Sequence, residues 1–205
     1  TNSNNTTTTT SERRRTSDKG INFIAESEGF SSGVYDDAGG TPTLGYGKVI
    51  YGGDQFYNNL TKTEGYAMLL DLVNNGSYSK YVNDFLVSNG LKFNQHQFDA
   101  LVSFSYNKGA SWTLAMYEYK YPMRGIVLAS GNKDLNNINK TQFAKEFNSQ
   151  HHLASNGKCL KGLLDRRINE LEIFFYNDYV RQMPPPQTSN NSWFYEKIED
   201  CPNYK

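Results

Sequence analysis

The sequence has no net charge, only two cysteines and no long apolar run. Its 21 basic residues balance its 21 acidic ones, which argues against a polyanion such as nucleic acid as the partner. Cys159 and Cys201 are too few for a scaffold of several disulfides, and His96, His151 and His152 fit no zinc-ligand spacing. No apolar stretch approaches the roughly 18 residues of a membrane span. The sequence therefore lacks the marks of a nucleic-acid-binding fold, a disulfide-rich mini-protein, a zinc protein and a membrane-spanning protein.

What is present is the composition of an ordinary globular protein. Hydrophobic residues make up 37% and aromatic residues 14% of 205 positions, enough for one normal core. Residues 1–17 contain no apolar side chain and are expected to form a flexible linker or tail, because burial cannot offset their ordering entropy. Residues 184–186 are prolines, which favour a stiff extended segment. The sequence predicts one folded domain, residues 18–178, followed by a Pro-rich C-terminal extension, residues 179–205.

A glutamate at the end of the first predicted helix is the first candidate for chemistry. Ile21, Ile24 and Ala25 recur at helical spacing, and Glu28 takes the next position on the same face. Gly29 follows at once, and a glycine there commonly ends a helix in the left-handed conformation. A carboxylic acid against an apolar face is disfavoured in its charged form and stays protonated near neutral pH. That is the property of a general acid.

The following segment predicts a hairpin that carries a second carboxylate. A short strand around Tyr35, a turn at 38–40 and a returning strand over 41–46 would place Asp37 at the hairpin mouth, where it stays hydrated and ionised. Thr43 on the returning strand is placed to hold a water next to Asp37. One neutral and one charged carboxyl group are the arrangement that splits a glycosidic bond.

Each candidate has a neighbour of the same type that the pattern excludes. Glu26 lies about 200° around the helix from Glu28 and is expected to face solvent. Adjacent strand residues point to opposite faces, so only one of Asp36 and Asp37 faces the cleft, and the spacing selects Asp37.

At these positions the chain resembles the phage-type lysozymes, the endolysin muramidases of glycoside hydrolase family 24. Their motif is Glu-Gly at a helix end, an Asp nine residues after the Glu, a Thr six residues later and then Gly-x-Gly, matched here by Glu28, Asp37, Thr43 and residues 45–47. Residues 93–109 look like the central buried helix of that family. Residues 162–174 look like its C-terminal helix, Gly-Leu-x-x-Arg-Arg-x-x-Glu-x-x-x-Phe. The resemblance extends over about residues 18–178, with one departure, Lys48, where many members have His.

The resemblance implies roles for these residues. Glu28 would protonate the leaving oxygen, while Asp37 and Thr43 would position a water on the opposite face. The candidate substrate-binding residues are Gly45, Tyr46, Val49 and Tyr106. Tyr106 is either a core residue or a platform on which a sugar stacks. Arg166 aligns with a cleft arginine that pairs with the catalytic Glu, although Arg166 and Arg167 would ordinarily be interpreted as a charged helix face.

The implied protein is an α+β, lysozyme-like muramidase, mainly helical, with a small N-terminal β-hairpin lobe and a cleft between two lobes. It would hydrolyse the β-1,4 bond between N-acetylmuramic acid and N-acetylglucosamine, with inversion and without a metal or organic cofactor. Its partner would be the glycan strands of bacterial peptidoglycan, with no nucleic acid, no membrane span and a monomeric domain, acting outside the cell or on the cell wall. Two alternatives stay open: a lytic transglycosylase that uses Glu28 alone, and a wall-binding module with an inactive cleft.

Capping and periodicity predict the remaining helices. One helix follows Thr61 and runs to about Val73, and a second covers 81–87. Asn94 caps the central helix, on which a stripe at i, i+3, i+4 and i+7 spacing is formed by Phe98, Leu101, Val102 and Ser105. Thr141 is expected to cap a short helix to Asn148, and residues 160–176 form the last long helix.

The aromatic cluster at 193–195 needs burial, so the extension either folds back on the domain or begins another module. A bridge between Cys159 and Cys201 would pin it to the domain in an oxidising compartment.

Overall fold

The computed structural model describes residues 9–37, 40–52, 58–150 and 160–195. The described helices and strands follow in this order: α1 Asp18–Glu28, β1 Ser31–Asp36, β2 Pro42–Gly45, β3 Lys48–Val49, α2 Lys62–Asn74, α3 Ser77–Ser88, α4 Gln95–Lys108, α5 Met123–Leu128, α6 Lys140–Ser149 and α7 Lys161–Tyr176. Short 3₁₀ turns connect α4 to α5 and α5 to α6, and one more follows at Ser192–Tyr195. The fold is mainly helical with one small antiparallel sheet, as the sequence predicts.

The sheet lies beside the end of α1 and has its own small core. The strand order is β1-β2-β3, and Thr43 in the middle strand pairs with Tyr35 on one side and Val49 on the other. Its buried apolar residues are Leu44, Ile50 and Leu60. The predicted hairpin is therefore present. The predicted strand over 41–46 is shorter than expected, because residues 46 and 47 turn the chain into β3, a strand that the sequence pattern did not indicate.

The helical body is built around α4. Every side chain from His96 to Tyr106 is buried, because α1, α3 and α7 pack around this helix. The sequence predicted one buried face, whereas this part of the helix is buried on all sides. A capping box starts α4, since the Asn94 side chain accepts from the Gln97 backbone and the Gln97 side chain accepts from the Asn94 backbone.

The first residues of the helices agree with the predicted caps, except in α3 and α6. Thr61 and Glu64 form the expected capping box of α2. Helix α3 begins at Ser77, before the apolar spacing starts at Tyr81. Helix α6 is capped by Asn139, whose side chain accepts from the Gln142 N–H at 3.1 Å, so the prediction of Thr141 as the cap is wrong.

The N-terminal segment differs from the predicted tail over residues 9–17. Thr10 exchanges backbone hydrogen bonds with Phe93, and the Arg14 N–H donates to the Asn83 side chain at 2.9 Å. Thr16 is buried and bonded to Asn74 and Ser79. Polar residues are ordered here by hydrogen bonds instead of by apolar burial, which composition alone does not reveal.

The C-terminal extension returns along α7 to the main core. The Gln182 N–H donates to the Asn169 side chain at 2.9 Å, and Phe194 is completely buried beside Phe175. Residues 193–195 therefore fold back on the domain. Cys159 and Cys201, and with them the predicted bridge, lie outside the described residues. Over the described ranges, no helix is long and apolar enough to cross a membrane.

Candidate active site

Glu28 occupies the junction between the helical body and the sheet lobe. It is the last residue of α1, whose apolar face is buried, and its side chain is 19% exposed whereas Glu26 faces solvent. Gly29 ends the helix with φ 72° and ψ 165°. The backbone thus has the positive φ that the glycine predicts but an extended ψ, so the chain leaves the helix directly towards β1.

Each carboxylate oxygen of Glu28 meets a different lobe. Oε1 accepts a hydrogen bond from Nη1 of Arg166 in α7 at 2.5 Å. Oε2 faces Gly47, where an added Cβ would lie only 3.1 Å away. Gly47 has φ +85°, a conformation that favours glycine. The second glycine of Gly-x-Gly thus serves both the turn and the close approach to Glu28.

Asp37 and Thr43 are joined through the backbone of Thr41. The Thr41 N–H donates to Asp37 Oδ1 at 2.8 Å, while the Thr41 carbonyl accepts from the Asp37 N–H at 3.0 Å and from Thr43 Oγ1 at 2.9 Å. Asp37 is exposed and Thr43 is buried. The two side chains are therefore held at fixed places on one hairpin, with the carboxylate in contact with solvent.

Tyr35 relates the two carboxylates to each other. Burial raises the pKa of its hydroxyl, and the negative charges of Glu28 and Asp37 raise it further. Its phenol therefore lies within electrostatic reach of both groups, on the strand that pairs with Thr43. The sequence indicated Tyr35 only as a strand former, because nothing in its local pattern shows that it lies near Glu28.

The predicted substrate-binding residues have different surroundings. Gly45 is buried, and an added Cβ would meet a Leu60 methyl at 3.3 Å, so it packs inside the sheet lobe. Tyr46 and Val49 are half-buried. The Tyr46 carbonyl accepts from the Tyr106 hydroxyl at 2.8 Å, a contact that ties the turn of the sheet to α4.

Tyr106 itself is 9% exposed, which leaves little ring surface for a sugar. Its ring lies 4.9 Å from that of Tyr78 on α3, which is half-buried. Burial raises the pKa of Tyr78, with further contributions from Tyr51 and Glu28, so its hydroxyl also lies near the candidate acid. Tyr78 was not among the residues that the sequence indicated, because its spacing on α3 is that of an ordinary amphipathic helix.

Arg166 belongs to a buried group of charges on α7. Arg166 is 6% exposed, and Arg167 and Glu170 are completely buried. Glu170 Oε1 accepts from Arg166 Nε at 3.2 Å, from Arg167 Nη2 at 2.9 Å and from the Ser103 hydroxyl at 2.7 Å. Arg166 is thus a paired residue facing Glu28 instead of part of a solvated helix face. Glu170 and Ser103 were not foreseen at the site.

Comparisons with known proteins identify the family and the fold. The phage lysozyme family model matches residues 25–170. The endolysin from Escherichia coli O157:H7 phage FAHEc1 is 25% identical with a TM-score of 0.59, over 82% of this chain and 98% of that chain. The muramidase domain of SpmX from Asticaccaulis excentricus is 22% identical with a TM-score of 0.61, over 79% and 98%. A mutant of P22 lysozyme is 23% identical with a TM-score of 0.54, over 78% and 98%. A comparison with curated proteins found no match.

A small sheet beside a helical body, with a partly enclosed glutamate between them, defines a glycoside hydrolase of the lysozyme fold. Since the family match spans most of the described domain, the chain belongs to the phage lysozyme family. It is a muramidase, and its substrate is the peptidoglycan of the bacterial cell wall.

Proposed function

We propose that the protein hydrolyses the β-1,4 bond between N-acetylmuramic acid and N-acetylglucosamine with inversion, using Glu28 as general acid and Asp37 with Thr43 to position the water. The observation that carries the proposal is the contrast between the two carboxyl groups. Glu28 is enclosed between Gly47 and Arg166, whereas Asp37 is exposed at the mouth of the hairpin. Inverting glycosidases use this pairing of an enclosed acid with a carboxylate that activates water.

The surroundings of Glu28 suit a group that gives up a proton. In the reaction, Glu28 transfers its proton to the glycosidic oxygen as the bond to the anomeric carbon breaks. The product is the Glu28 carboxylate, and Arg166 Nη1 at 2.5 Å is placed to stabilise that negative charge. Arg166 therefore favours the state reached after proton transfer.

The hydroxyl of Thr43 suits a group that orients water. Its proton is donated to the Thr41 carbonyl, so towards any further partner Thr43 acts as an acceptor. A water that donates one proton to Thr43 and the other to Asp37 would direct its lone pair at the anomeric carbon. Attack forms the new carbon–oxygen bond, and Asp37 takes the second proton of the water.

The test is lysis of purified peptidoglycan by the whole chain, followed by mass spectrometry of the released sugars. We expect loss of turbidity and reducing-end products. Products with a 1,6-anhydro end would instead indicate a lytic transglycosylase that uses Glu28 alone. Binding without any release of sugars would indicate a wall-binding module with an inactive cleft.

Two matched variants assign the acid. Glu28→Gln keeps the size of the side chain but removes the transferable proton, so we expect at least about a hundredfold loss of lytic rate in a folded protein. Glu26→Gln, on the solvent side of the same helix, is expected to keep the wild-type rate. A folded Glu28→Gln protein that retains more than about a tenth of the rate would contradict the assignment.

A further inference from the structure

Behind Glu28, charged groups continue into the core of the helical body. Arg166 contacts Glu28 Oε1 through Nη1 at 2.5 Å and Glu170 Oε1 through Nε at 3.2 Å. Arg167 Nε lies 2.7 Å from Glu170 Oε2, and the Ser103 hydroxyl donates to Oε1. These four residues, Glu28, Arg166, Glu170 and Arg167, form a row of alternating charges, which we call the row. Arg167 and Glu170 at its inner end have no exposed surface, so water does not screen them.

The row is balanced only when both carboxylates are present. Two arginines face Glu28 and Glu170, so the row is neutral with Glu28 ionised and carries one positive charge with Glu28 protonated. Burial alone would lower the pKa of Arg166, but the charges of Glu28 and Glu170 outweigh it and raise that pKa. Burial lowers the pKa of Arg167, and the positive charge of Arg166 lowers it further, while the charges of Glu170 and Glu28 oppose this shift. Glu170 is therefore the carboxylate that contacts both guanidinium groups, while Glu28 contacts Arg166 alone.

We propose that Glu170 is a positioning residue for the general acid: it holds Arg166 against Glu28 and offsets part of the positive charge that Arg166 and Arg167 direct at Glu28. This inference rests on the proposed role of Glu28. Without Glu170, two buried guanidinium groups would face one carboxyl group. Such an excess of positive charge favours the ionised carboxylate, which cannot act as an acid.

Among the described residues, Asp37 also bears on Tyr35, but it is exposed, so water and salt screen its charge. The tyrosines packed around Glu28 do not supply the compensation either. Tyr35 from β1, Tyr78 from α3 and Tyr106 from α4 each have a pKa raised by burial and by Glu28, so they are uncharged near neutral pH. Lys108 at the end of α4 faces Arg167 and Glu170. Burial, followed by the charges of Arg167, Lys120 and Arg166, lowers the pKa of Lys108 to about 8.

The decisive variant is Glu170→Gln, which keeps the shape of the side chain and removes its charge. We expect the alkaline limb of its pH–rate profile to move to lower pH by about one unit, the size of effect that one nearby charge exerts. Glu170→Asp keeps the charge and is expected to restore the limb even where the maximal rate falls. Glu172→Gln is the matched control on the same helix, because Glu172 bonds to Asn191 and lies outside the row. Its limb should match the wild type.

A second readout does not depend on turnover. In protein labelled with ¹³C at the glutamate carboxyl groups, the Glu28 signal is the one missing from Glu28→Gln, and its titration midpoint should fall in Glu170→Gln by the same amount as the limb. If wild-type protein is folded but never lyses peptidoglycan, the proposed function fails while this titration still tests Glu170. If lysis is normal and the Glu28 titration midpoint is the same in the wild type and in Glu170→Gln, the proposed role of Glu170 is contradicted.

Loss of a buried charge partner can prevent folding, so a variant of opposite sign is needed. The Asn107 side chain accepts from Arg167 Nη1 at 3.0 Å and is half-buried. Asn107→Asp adds a negative charge at that place without emptying a buried position. We expect its Glu28 midpoint to rise, by less than it falls in Glu170→Gln. If Glu170→Gln does not fold, an unchanged or lowered midpoint in Asn107→Asp overturns the proposal.

Discussion

Arg166 and Glu28 stand 138 positions apart in the chain, yet Nη1 of Arg166 lies 2.5 Å from Oε1 of Glu28. The contact joins α7 to the end of α1, so the last long helix of the domain is positioned against the first. Both side chains are largely shielded, which protects the pair from screening by salt. Glu28, the proposed acid, is therefore held in place by two helices that are distant in the sequence, and substitutions in α7 are expected to affect it.

Gly47→Ala is expected to reduce catalysis because of its contact with Glu28. The new Cβ would lie 3.1 Å from Glu28 Oε2, so either the turn or the carboxyl group must shift. Misplacement of a reacting group by about 1 Å costs on the order of a hundredfold in rate. The measurement is the lytic rate per folded molecule, with folding checked by circular dichroism.

Gly90→Ala is the control for backbone strain. Gly90 also has a positive φ, +65°, but an added Cβ would meet nothing within 4 Å. Both substitutions carry the left-handed penalty of about 1–2 kcal/mol. We expect similar loss of stability in the two variants and a loss of rate only in Gly47→Ala. Equal rates in both would show that the contact with Glu28 has no catalytic consequence.

The arrangement of Asp37 and Thr43 predicts the stereochemistry of the first product. A water activated by Asp37 attacks from the face opposite the leaving group, so NMR of early products should show the α-anomer. Thr43→Val keeps the shape but removes the acceptor, and we expect a lower rate with the same anomer. The β-anomer as first product would mean a covalent intermediate and would remove the water-positioning role of Thr43.

Local signals in the sequence were sufficient to predict the elements that hold the candidate catalytic residues. Glu28 continues an apolar helical face and is followed by Gly29, and α1 ends there. The capping residues Thr61 and Asn94 start α2 and α4 as predicted. Such signals are reliable because a helix end must satisfy its own backbone groups within a few residues.

Contacts between segments that are distant in the sequence could not be predicted from local patterns. The position of Glu170 in a buried row depends on α4 and α7 packing together, and on α7 alone its spacing to Arg166 is that of a surface ion pair. The ordering of residues 9–17 likewise depends on acceptors in α3, such as Asn83. The residues of that segment do not indicate these partners, so its polar composition predicted a flexible tail.

Asp99 gives a prediction for pH dependence of stability. Burial raises its pKa above the ordinary 3.8, and the donors Ser17, Tyr179 and Gln95 oppose this without reversing it. In that situation the native state binds more protons than the unfolded state between the two pKa values. Stability is therefore lost as the pH rises from about 4 through the raised pKa. Asp99→Asn should remove this loss.

The amide in Asp99→Asn can keep the bonding pattern. In the wild type, the Ser17 N–H and the Gln95 side chain donate to Asp99 Oδ1, and the Ser17 and Tyr179 hydroxyls donate to Oδ2. In the variant, the amide oxygen can take the place of Oδ1, and the NH₂ group can donate to the two hydroxyl oxygens. Melting temperatures between pH 3.5 and 8 should therefore rise relative to the wild type as the pH rises. Asp84→Asn is the contrast, because Lys80 and Arg13 lower the pKa of Asp84, so that variant should lose relative stability with rising pH. A pH-independent difference for Asp99→Asn would contradict the prediction.

Phe194 tests whether the extension stabilises the domain without serving the reaction. It is completely buried, its ring lies 4.3 Å from that of Trp193, and its carbonyl accepts from the Asn148 side chain at 2.5 Å. Phe194→Ala should cost about 3–5 kcal/mol and lower the melting temperature by about 10 °C. Its contact on α7 at Phe175 is on the order of 14 Å along the helix from Arg166, so the lytic rate of the folded protein should stay unchanged. Tyr119→Ala, at an exposed aromatic residue, is the control and should change neither quantity. An unaltered melting temperature together with lost binding to cell walls would mean that the extension is a targeting element instead.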